Sequence, residues 1–517
     1  MSDLEEKPDE IVDVSDEYQL HQDDDSQHNE LDEVIQRRDR AQSVNDISKC
    51  QVLSYSIGHF YNDLCSSLWF TYLMIYLEKV VMLQHSLAGL LMLIGQVTDA
   101  ISTPIVGLLS DASILPGFLC KFGRRKSWHI IGTFCVTISF PFIFGGCLLC
   151  TGHSINWIKV LWFAPFIALF QFGWAAVQIS HLAMIPELSE NPSRRTSMNS
   201  LRNAFAVIAN LTIYLAVFFL LNADKDLGIN PNDLIQFREV GLGAVVVGFT
   251  VTAVFYLFVK EKAFTRMTLS TLSLQSDASS LIQMSWKNWF SHIEFYQVAF
   301  LYMFCRLYIN VAQVYFSFYI TDVMELEKTY LAKLPLVIYM SSFAVSLLMG
   351  VPKINKLFHK KALFMLASLI GVANGVVIHF STNILSVYVI SILLGVVQAL
   401  LLISSLSVTA QLINRNTESG AFVYGAMSFM DKLSNGLVIQ VVQLLTPDCD
   451  VKRDTSSSEA CKVFYKNVMI YVPGSCVIIV FLILIFLNTK KLGERLRRHN
   501  SDDELSTSHL VPDHEEI

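Results

Sequence analysis

Twelve stretches of this chain are apolar for about the length of a bilayer, and that pattern constrains the fold more than anything else in it. A spanning helix needs ~20 apolar residues. Runs of that kind cover residues 51–78, 86–111, 127–150, 157–184, 199–222, 238–259, 292–320, 329–352, 361–381, 384–411, 421–445 and 465–488. Hydrocarbon offers no hydrogen bonds, so a spanning segment satisfies its own backbone as a helix. Pro104, Pro141, Pro165 and Pro335 lie inside these runs, where neighbouring helices tolerate them. Only 16% of the 517 residues are charged, against ~25% in a soluble chain. The mean hydropathy is +0.45. The prediction is an all-α polytopic membrane protein with twelve transmembrane helices in two six-helix halves.

Basic residues in short loops orient such a protein. One side carries Lys121, Arg124, Arg125 and Lys126, then Arg194 and Arg195, then Lys353, Lys356, Lys360 and Lys361. Lys49 and Lys490 flank the first and last runs on that same side. This face is therefore read as cytosolic, with both tails. The expected organisation is an acidic, disordered tail over 1–50, one half over 51–259, a cytosolic loop over 260–291, a second half over 292–488 and a tail over 489–517. The loop 446–464 carries Lys and Arg on the other side and fits least well. The net charge of -7 comes largely from the first tail and implies no nucleic-acid partner.

Several charges fall inside or at the ends of apolar runs. Asp99 sits near the middle of the second; Asp63, Arg202, Arg306, Asp431 and Lys432 lie in others. A charge at the bilayer centre costs at least ~2.5–3.5 kcal/mol and marks a substrate or ion path by default. The plainer reading of each is an ion pair that holds helices together.

The second run ends Gly107-Leu-Leu-Ser-Asp111, and the loop after it reads Phe122-Gly-Arg-Arg-Lys126. A small Gly lets helices approach closely. Asp111 is positioned to pair with Arg124, Arg125 and Lys126, beside Gly123, as a latch at the cytosolic mouth. This set resembles the signature of the major facilitator superfamily between its second and third helices, with about ten residues inserted after Asp111.

Four further strings narrow the resemblance: Gly58-His-Phe-Tyr-Asn-Asp63, Gln96-Val-Thr-Asp99-Ala-Ile-Ser-Thr-Pro104, Ile185-Pro-Glu-Leu188 and Arg195-Thr-Ser-Met-Asn-Ser-Leu-Arg202. Over roughly 51–490 the chain is similar to the glycoside-pentoside-hexuronide:cation symporter branch. That resemblance implies substrate contacts at Asp63 and Arg202. It also implies a cation site built from two carboxylates on the second helix and one on the fourth. Here only Asp99 is present; Thr103 and Gln178 stand at the other two places. A family-type Na+ site is therefore not expected, and Asp99 is left to carry a proton, bind substrate or serve structure. Longer strings, Phe170-Gln-Phe-Gly-Trp-Ala175 and Ser419-Gly-Ala-Phe-Val-Tyr-Gly-Ala-Met-Ser-Phe-Met-Asp-Lys432 among them, resemble one animal subgroup of lysosomal and melanosomal proteins needed for cysteine import. The implied function is secondary active transport of cysteine from cytosol into the organelle, proton-linked and affecting pigment synthesis. The same-branch alternative is a cation-coupled symporter for a sugar, a lysolipid or another small solute. A non-transporting sensor or scaffold is the alternative of another class.

Cysteine is a zwitterion near neutral pH. A carboxylate at Asp63 or Asp99 suits its ammonium, and a guanidinium at Arg202 or Arg306 suits its carboxylate. Gln171, Trp174 and Gln178 share a face of the fourth helix; Trp174 serves either the cavity or helix packing. His59 and His181 sit in or near helices, where the choice is between a pH-responsive group and a packing residue. Asp277-Ala-Ser-Ser-Leu281-Ile282 in the central loop has the acidic-dileucine form that endolysosomal sorting adaptors read. Most of the ten cysteines lie inside apolar runs, where an unpaired Cys acts as a small hydrophobe. Cys449 and Cys461 fall in one polar loop, and the choice there is between a disulfide, if that loop is lumenal, and two unpaired thiols. No zinc-ligand spacing, HExxH, GxSxG or P-loop is found in a usable place, so neither cofactor nor enzyme activity is expected.

Overall fold

The computed structural model describes residues 47–111, 122–150, 155–189, 192–222, 228–261, 286–350, 360–413, 420–447 and 455–487. Both tails and most of the central loop, with Asp277, Leu281 and Ile282, lie outside them, as does Cys449. Among the described residues the long elements are all helices. The first, α1, covers 49–80 and is interrupted by a 3-10 turn at Ile57–His59. The others are α2 His85–Asp111, α3 Arg124–Phe144, α4 Asn156–Leu188, α5 Pro192–Asn222 and α6 Leu234–Phe258. The second half supplies α7 Ile293–Phe318, α8 Tyr330–Gly350, α9 Lys360–Phe380, α10 Ile384–Ile413, α11 Gly420–Leu445 and α12 Thr455–Phe486. Among the described residues, ten helices are long and apolar enough to cross a membrane; α1 and α11 fall short. These two carry the 3-10 break and the Asp431-Lys432 charges, respectively.

Apolarity placed the helices but not all their ends. The third helix stops at Phe144, before Gly145 and Gly146, rather than running to 150. Gly146 has φ 84°, a conformation that a helix cannot continue through. The last helix begins ten residues earlier than its apolar run, at Thr455. Its first turns are polar, and apolarity does not mark helix that protrudes from hydrocarbon.

The two halves repeat each other in backbone detail. Both α1 and α7 end in a π-turn, Tyr76–Val80 and Tyr319–Val323. After each turn comes a non-glycine residue with positive φ, Met82 at 56° and Glu325 at 48°. The offset is 243 positions in both cases (319 − 76 and 325 − 82). The closing hydrogen bonds match too: Val81 N–H to Tyr76 O at 2.9 Å and Met324 N–H to Tyr319 O at 3.0 Å. A left-handed non-glycine residue is uncommon, so its recurrence at one register marks an internal repeat, a usual building plan for transporters.

The halves meet along α1 with α7, α2 with α11, and α5 with α8. Large apolar side chains face outward, among them Leu161 (74% exposed), Phe219 (68%) and Phe486 (75%). In water such a surface would be an aggregation hazard; in a bilayer it is the lipid-facing belt. The protein is a multi-pass membrane protein. We call the side bearing Arg124–Lys126 the basic face, and the other the opposite face.

At the opposite face the halves are tied shut. Lys79 pairs with Asp322 at 2.9 Å, and the fully buried Lys328 pairs with Asp233 at 2.8 Å. Tyr465 O–H donates to Glu78, whose carboxylate also meets His85 at 2.6 Å. Further in, Tyr72 O–H donates to the Leu331 carbonyl, and Ser317 O–H to that of Thr71. Among the described residues, the inter-half link nearest the basic face is Lys432 with Asp99 and Thr103.

Candidate functional site

Six intramembrane charges divide into two groups. Asp99 on α2 is met by the Lys432 ammonium of α11 at 2.6 Å, and the same ammonium donates to Thr103 Oγ at 2.7 Å. Asp99 and Thr103 are four residues apart and so share a helix face. Lys432 thus places its own ammonium against the two positions that the resemblance identified with a cation pair. Arg306 on α7 donates to Asp431 at 3.1 Å, and Asn435 and Asn310 add amide donors to the same carboxylate at 2.6 and 3.4 Å. Adjacent in sequence, Asp431 and Lys432 therefore serve separate pairs, one within the second half and one between halves.

The second group has open valences. Asp63 on α1 contacts His59 Nδ1 through Oδ1 at 2.9 Å, while its Oδ2 is buried without a partner. Arg202 on α5 likewise has a buried Nε with no partner. Asp63 and Arg306 occupy the same repeat position, 243 apart, yet only the second-half member is neutralised by a neighbouring charge. Leaving buried charged groups under-bonded is costly, which is the signature expected of groups that await a ligand.

Around them, α4 brings Gln171, buried at 1% exposure with neither amide atom bonded. Trp174 packs against Phe70 and Phe170, its Nε1 also without a partner. Gln178 is half-buried on the same helix. A small cavity lies where α1 meets α7, α8 and α10. Its polar pole is Gln313, which donates to Thr71 at 2.9 Å and to Tyr339 at 3.0 Å.

His59 and His181 are brought together, with ring centroids 5.8 Å apart. A third imidazole, His129 on α3, lies 5.9 Å from His181 and was not anticipated. It follows the basic loop so closely that it reads as part of it. Gly58 lets these elements meet: a Cβ there would come within 2.6 Å of Phe255 and 2.8 Å of His181.

The basic loop makes contacts that its motif did not point to. Arg124 and Arg125 both bind Glu187 of α4, at 2.6 and 3.0 Å, and Arg125 also donates to Ser110 of α2 at 2.6 Å. Glu261, just past α6, accepts the backbone N–H groups of Arg125 and Lys126 at 3.0 and 2.9 Å, the favoured place for a carboxylate at a helix N-terminus. Lys126 donates to the Tyr256 and Val259 carbonyls. Burial holds the Glu261 carboxyl above the usual carboxylate range, against the pull of those N–H donors. Gly123 has φ 102° and leaves no room for a Cβ beside Glu261. These contacts join α2, α3, α4 and α6 within one half. The side chain of Asp111 lies outside the described residues, and a Cβ added at Gly107 would come no nearer than 3.9 Å to a neighbour, Ile179. Sequence reading missed Glu187 and Glu261 because they lie some 60 and 135 residues from their partners.

The cysteines need one correction. Cys147 and Cys150, read as small hydrophobes, form a disulfide with each other. The signal was present as Cys147-Leu-Leu-Cys150, which begins three residues beyond the end of α3 rather than inside a helix. Cys461 is disulfide-bonded to a cysteine outside the described residues, where Cys449 also lies.

Comparisons with known proteins agree with this architecture. The family model for MFS/sugar transport proteins matches residues 54–491. The human major facilitator superfamily domain-containing protein 12 is 38% identical over 477 residues, 89% of this chain and 97% of that protein. Its horse counterpart is 40% identical over 439 residues, 82% and 89% of the two chains. The crystal structure of a D-xylose-proton symporter superposes with a TM-score of 0.58, covering 86% of this chain and 98% of that one at 14% identity. The chain is a membrane transporter belonging to the MFS/sugar transport protein family of the major facilitator superfamily.

Proposed function

We propose that this transporter moves cysteine, or a close amino-acid analogue, from the cytosol into lysosomes and melanosomes by alternating access, linked to protons, and thereby affects pigment synthesis. The observation that carries this reading is the pair of open valences: Asp63 Oδ2 and Arg202 Nε are buried and unmatched, while Asp99, Lys432, Arg306 and Asp431 are matched to one another. A zwitterion supplies an ammonium for the first and a carboxylate for the second. A neutral sugar can hydrogen-bond to both groups but brings no charge to balance either. In this reading Gln178 and Trp174 of α4, and Arg306 of the second half, are further cargo contacts. Cysteine is the first candidate through the resemblance to the animal subgroup.

Lys432 supplies a tethered cation at Asp99, so a Na+ ion has no vacant carboxylate there. The Asp99–Lys432 pair acts as a latch between halves, made in the state that is closed at the opposite face. The basic face is cytosolic, with both tails, on the distribution of Lys and Arg. Sorting adaptors that read Asp277, Leu281 and Ile282 carry the protein to the endolysosomal system.

Ligand-dependent stability tests the reading. A ligand at ~100 times its Kd adds ~2.7 kcal/mol to a folded protein. Purified protein is expected to melt at higher temperature with cysteine, and Arg202→Ala to lose that gain. Stabilisation by xylose or lysophosphatidylcholine in place of cysteine would replace the cargo. No stabilisation by any of them would favour a scaffold.

A further inference from the structure

The described residues hold one cluster of titratable side chains that neither latch nor cargo contacts explain. It consists of His59, His129 and His181, on α1, α3 and α4, at 3%, 0% and 0% exposure. Each imidazole is held differently. His181 lies stacked on Tyr55 at 4.2 Å, and its Nε2 is 2.8 Å from the Tyr55 carbonyl. A carbonyl only accepts, so Nε2 carries the hydrogen and Nδ1 is a bare lone pair. That Nδ1 is buried without a partner. His129 Nε2 likewise faces a carbonyl, that of Gly58, at 3.2 Å, and its Nδ1 meets the Tyr256 hydroxyl at 2.7 Å. His59 shares Asp63 Oδ1 through Nδ1, and its Nε2 has no partner. Core histidines kept only for packing have both nitrogens satisfied; His129 fits that description, and the other two do not.

We propose that His59 and His181, backed by His129, form the proton-binding site of this transporter, and that a proton here and the cargo ammonium at Asp63 exclude one another. The proposal rests on the cargo reading above for its second clause only. The charge balance is simple. Asp63 is the carboxylate bonded to the cluster. When His59 is an imidazolium, that carboxylate is neutralised from within. When His59 is neutral, the carboxylate is free to balance an ammonium at its open Oδ2. Both cations at once would leave an excess positive charge in a site that already feels Arg202 from α5. The other groups facing the cluster are Tyr55 on α1, Lys126 on α3 and Tyr256 on α6. Of these only Lys126 adds charge, and it is positive, so nothing else relieves the competition. His181 Nδ1 is the second acceptor, one ring away from His59. Asp99 is thereby relieved of the proton role: its Oδ1 is already bound by Lys432 and Thr103.

The test is exchange of labelled cysteine in proteoliposomes with equal pH on both sides, at about pH 7.5 and about pH 5.5. Cysteine remains a zwitterion across this range, since its thiol titrates near ~8.5. A proton that competes with the cargo for this site raises the half-saturating concentration severalfold at the lower pH. Wild type is expected to show that rise. His59→Asn and His181→Gln are expected to exchange cysteine at pH 7.5 with the rise reduced to less than about twofold. An unchanged half-saturating concentration in wild type overturns the proposal. So does a full rise in both variants. Loss of exchange at both pH values in both variants, with wild-type melting behaviour, would make these residues cargo contacts and also overturn it. A second arm needs no cargo: 15N-histidine NMR of the purified protein, with signals assigned by the same variants. At least one of His59 and His181 is expected to change protonation between about pH 5 and 7.5; constancy of both contradicts the proton site. If wild type exchanges no cysteine, the cargo reading fails, and this arm still decides the proton site.

Discussion

Lys79 and Asp322 stand at the same position of the two repeats, 243 residues apart, and meet at 2.9 Å across the interface between the halves. Each lies in the π-turn that ends its helix. A repeat with identical residues there would set like charges face to face. Opposite charges turn the point where the repeats converge into a clasp. The clasp is partly exposed, at 25% and 16%, so its free energy is small, ~0.2–1 kcal/mol. A closure that must release in every cycle suits a weak bond.

Cross-linking this point is expected to stop transport. With Lys79→Cys and Asp322→Cys in one chain, oxidation should abolish uptake and a reductant restore it. Uptake that persists in fully cross-linked protein would show that the clasp does not open during transport.

The neighbouring pair Lys328–Asp233 is buried at 1% and 0%, and its energetics differ. Removing one partner strands a buried charge at a cost of ~3–5 kcal/mol. Asp233→Asn is therefore expected to lower the melting temperature sharply, and Asp233→Asn with Lys328→Met to recover much of the loss. A single variant as stable as wild type would contradict the pairing.

The same logic reaches the centre of the membrane. Lys432→Met leaves Asp99 buried with only Thr103 as partner. It is expected to destabilise by ~3–5 kcal/mol, and Asp99→Asn with Lys432→Met to be the more stable protein. Equal melting temperatures of the single and double variants would sink the latch.

Much of this architecture was legible because hydrophobic length is a local property. Twelve runs gave twelve helices, including α1 and α11, whose polar residues weaken their apolar signal. Proline helped little: Pro104, Pro141, Pro165 and Pro335 all sit inside unbroken helices. Partnership was not legible. Nothing near Asp99 announces Lys432, 333 residues away. Nothing in the tract Arg124-Arg-Lys-Ser-Trp-His129 separates a loop cation from a buried imidazole, because one helical turn carries the chain from headgroup to interior. Glu261 was hidden for a similar reason, as one acid beside a long polar loop. Asp63 and Arg202 were visible only as charges in apolar runs; that Asp63 Oδ2 and Arg202 Nε are left without a partner is a property of three-dimensional neighbours.

Glu261 gives a pH dependence of known sign. Burial raises its carboxyl in the folded protein, opposed by the two N–H groups of α3. The folded state thus binds this proton more tightly than the unfolded chain, whose Glu titrates near ~4.3. The stabilisation is present below that pH and is lost as pH rises through the folded value. Relative to Glu261→Gln, the melting temperature of wild type is expected to fall between about pH 4 and about pH 7. Parallel curves for the two proteins would place the carboxyl in ordinary solvent.

The central claim, a zwitterion held between Asp63 and Arg202, meets its most direct test in labelled cysteine exchange. Wild type, Asp63→Asn and Arg202→Ala are reconstituted in equal amounts at about pH 7.5. Wild type is expected to exchange cysteine, and each variant to lose at least ~90% of that activity, as removal of a charge-assisted hydrogen bond worth ~1.5–3 kcal/mol demands. Normal exchange in either variant, or none in wild type, would contradict the account.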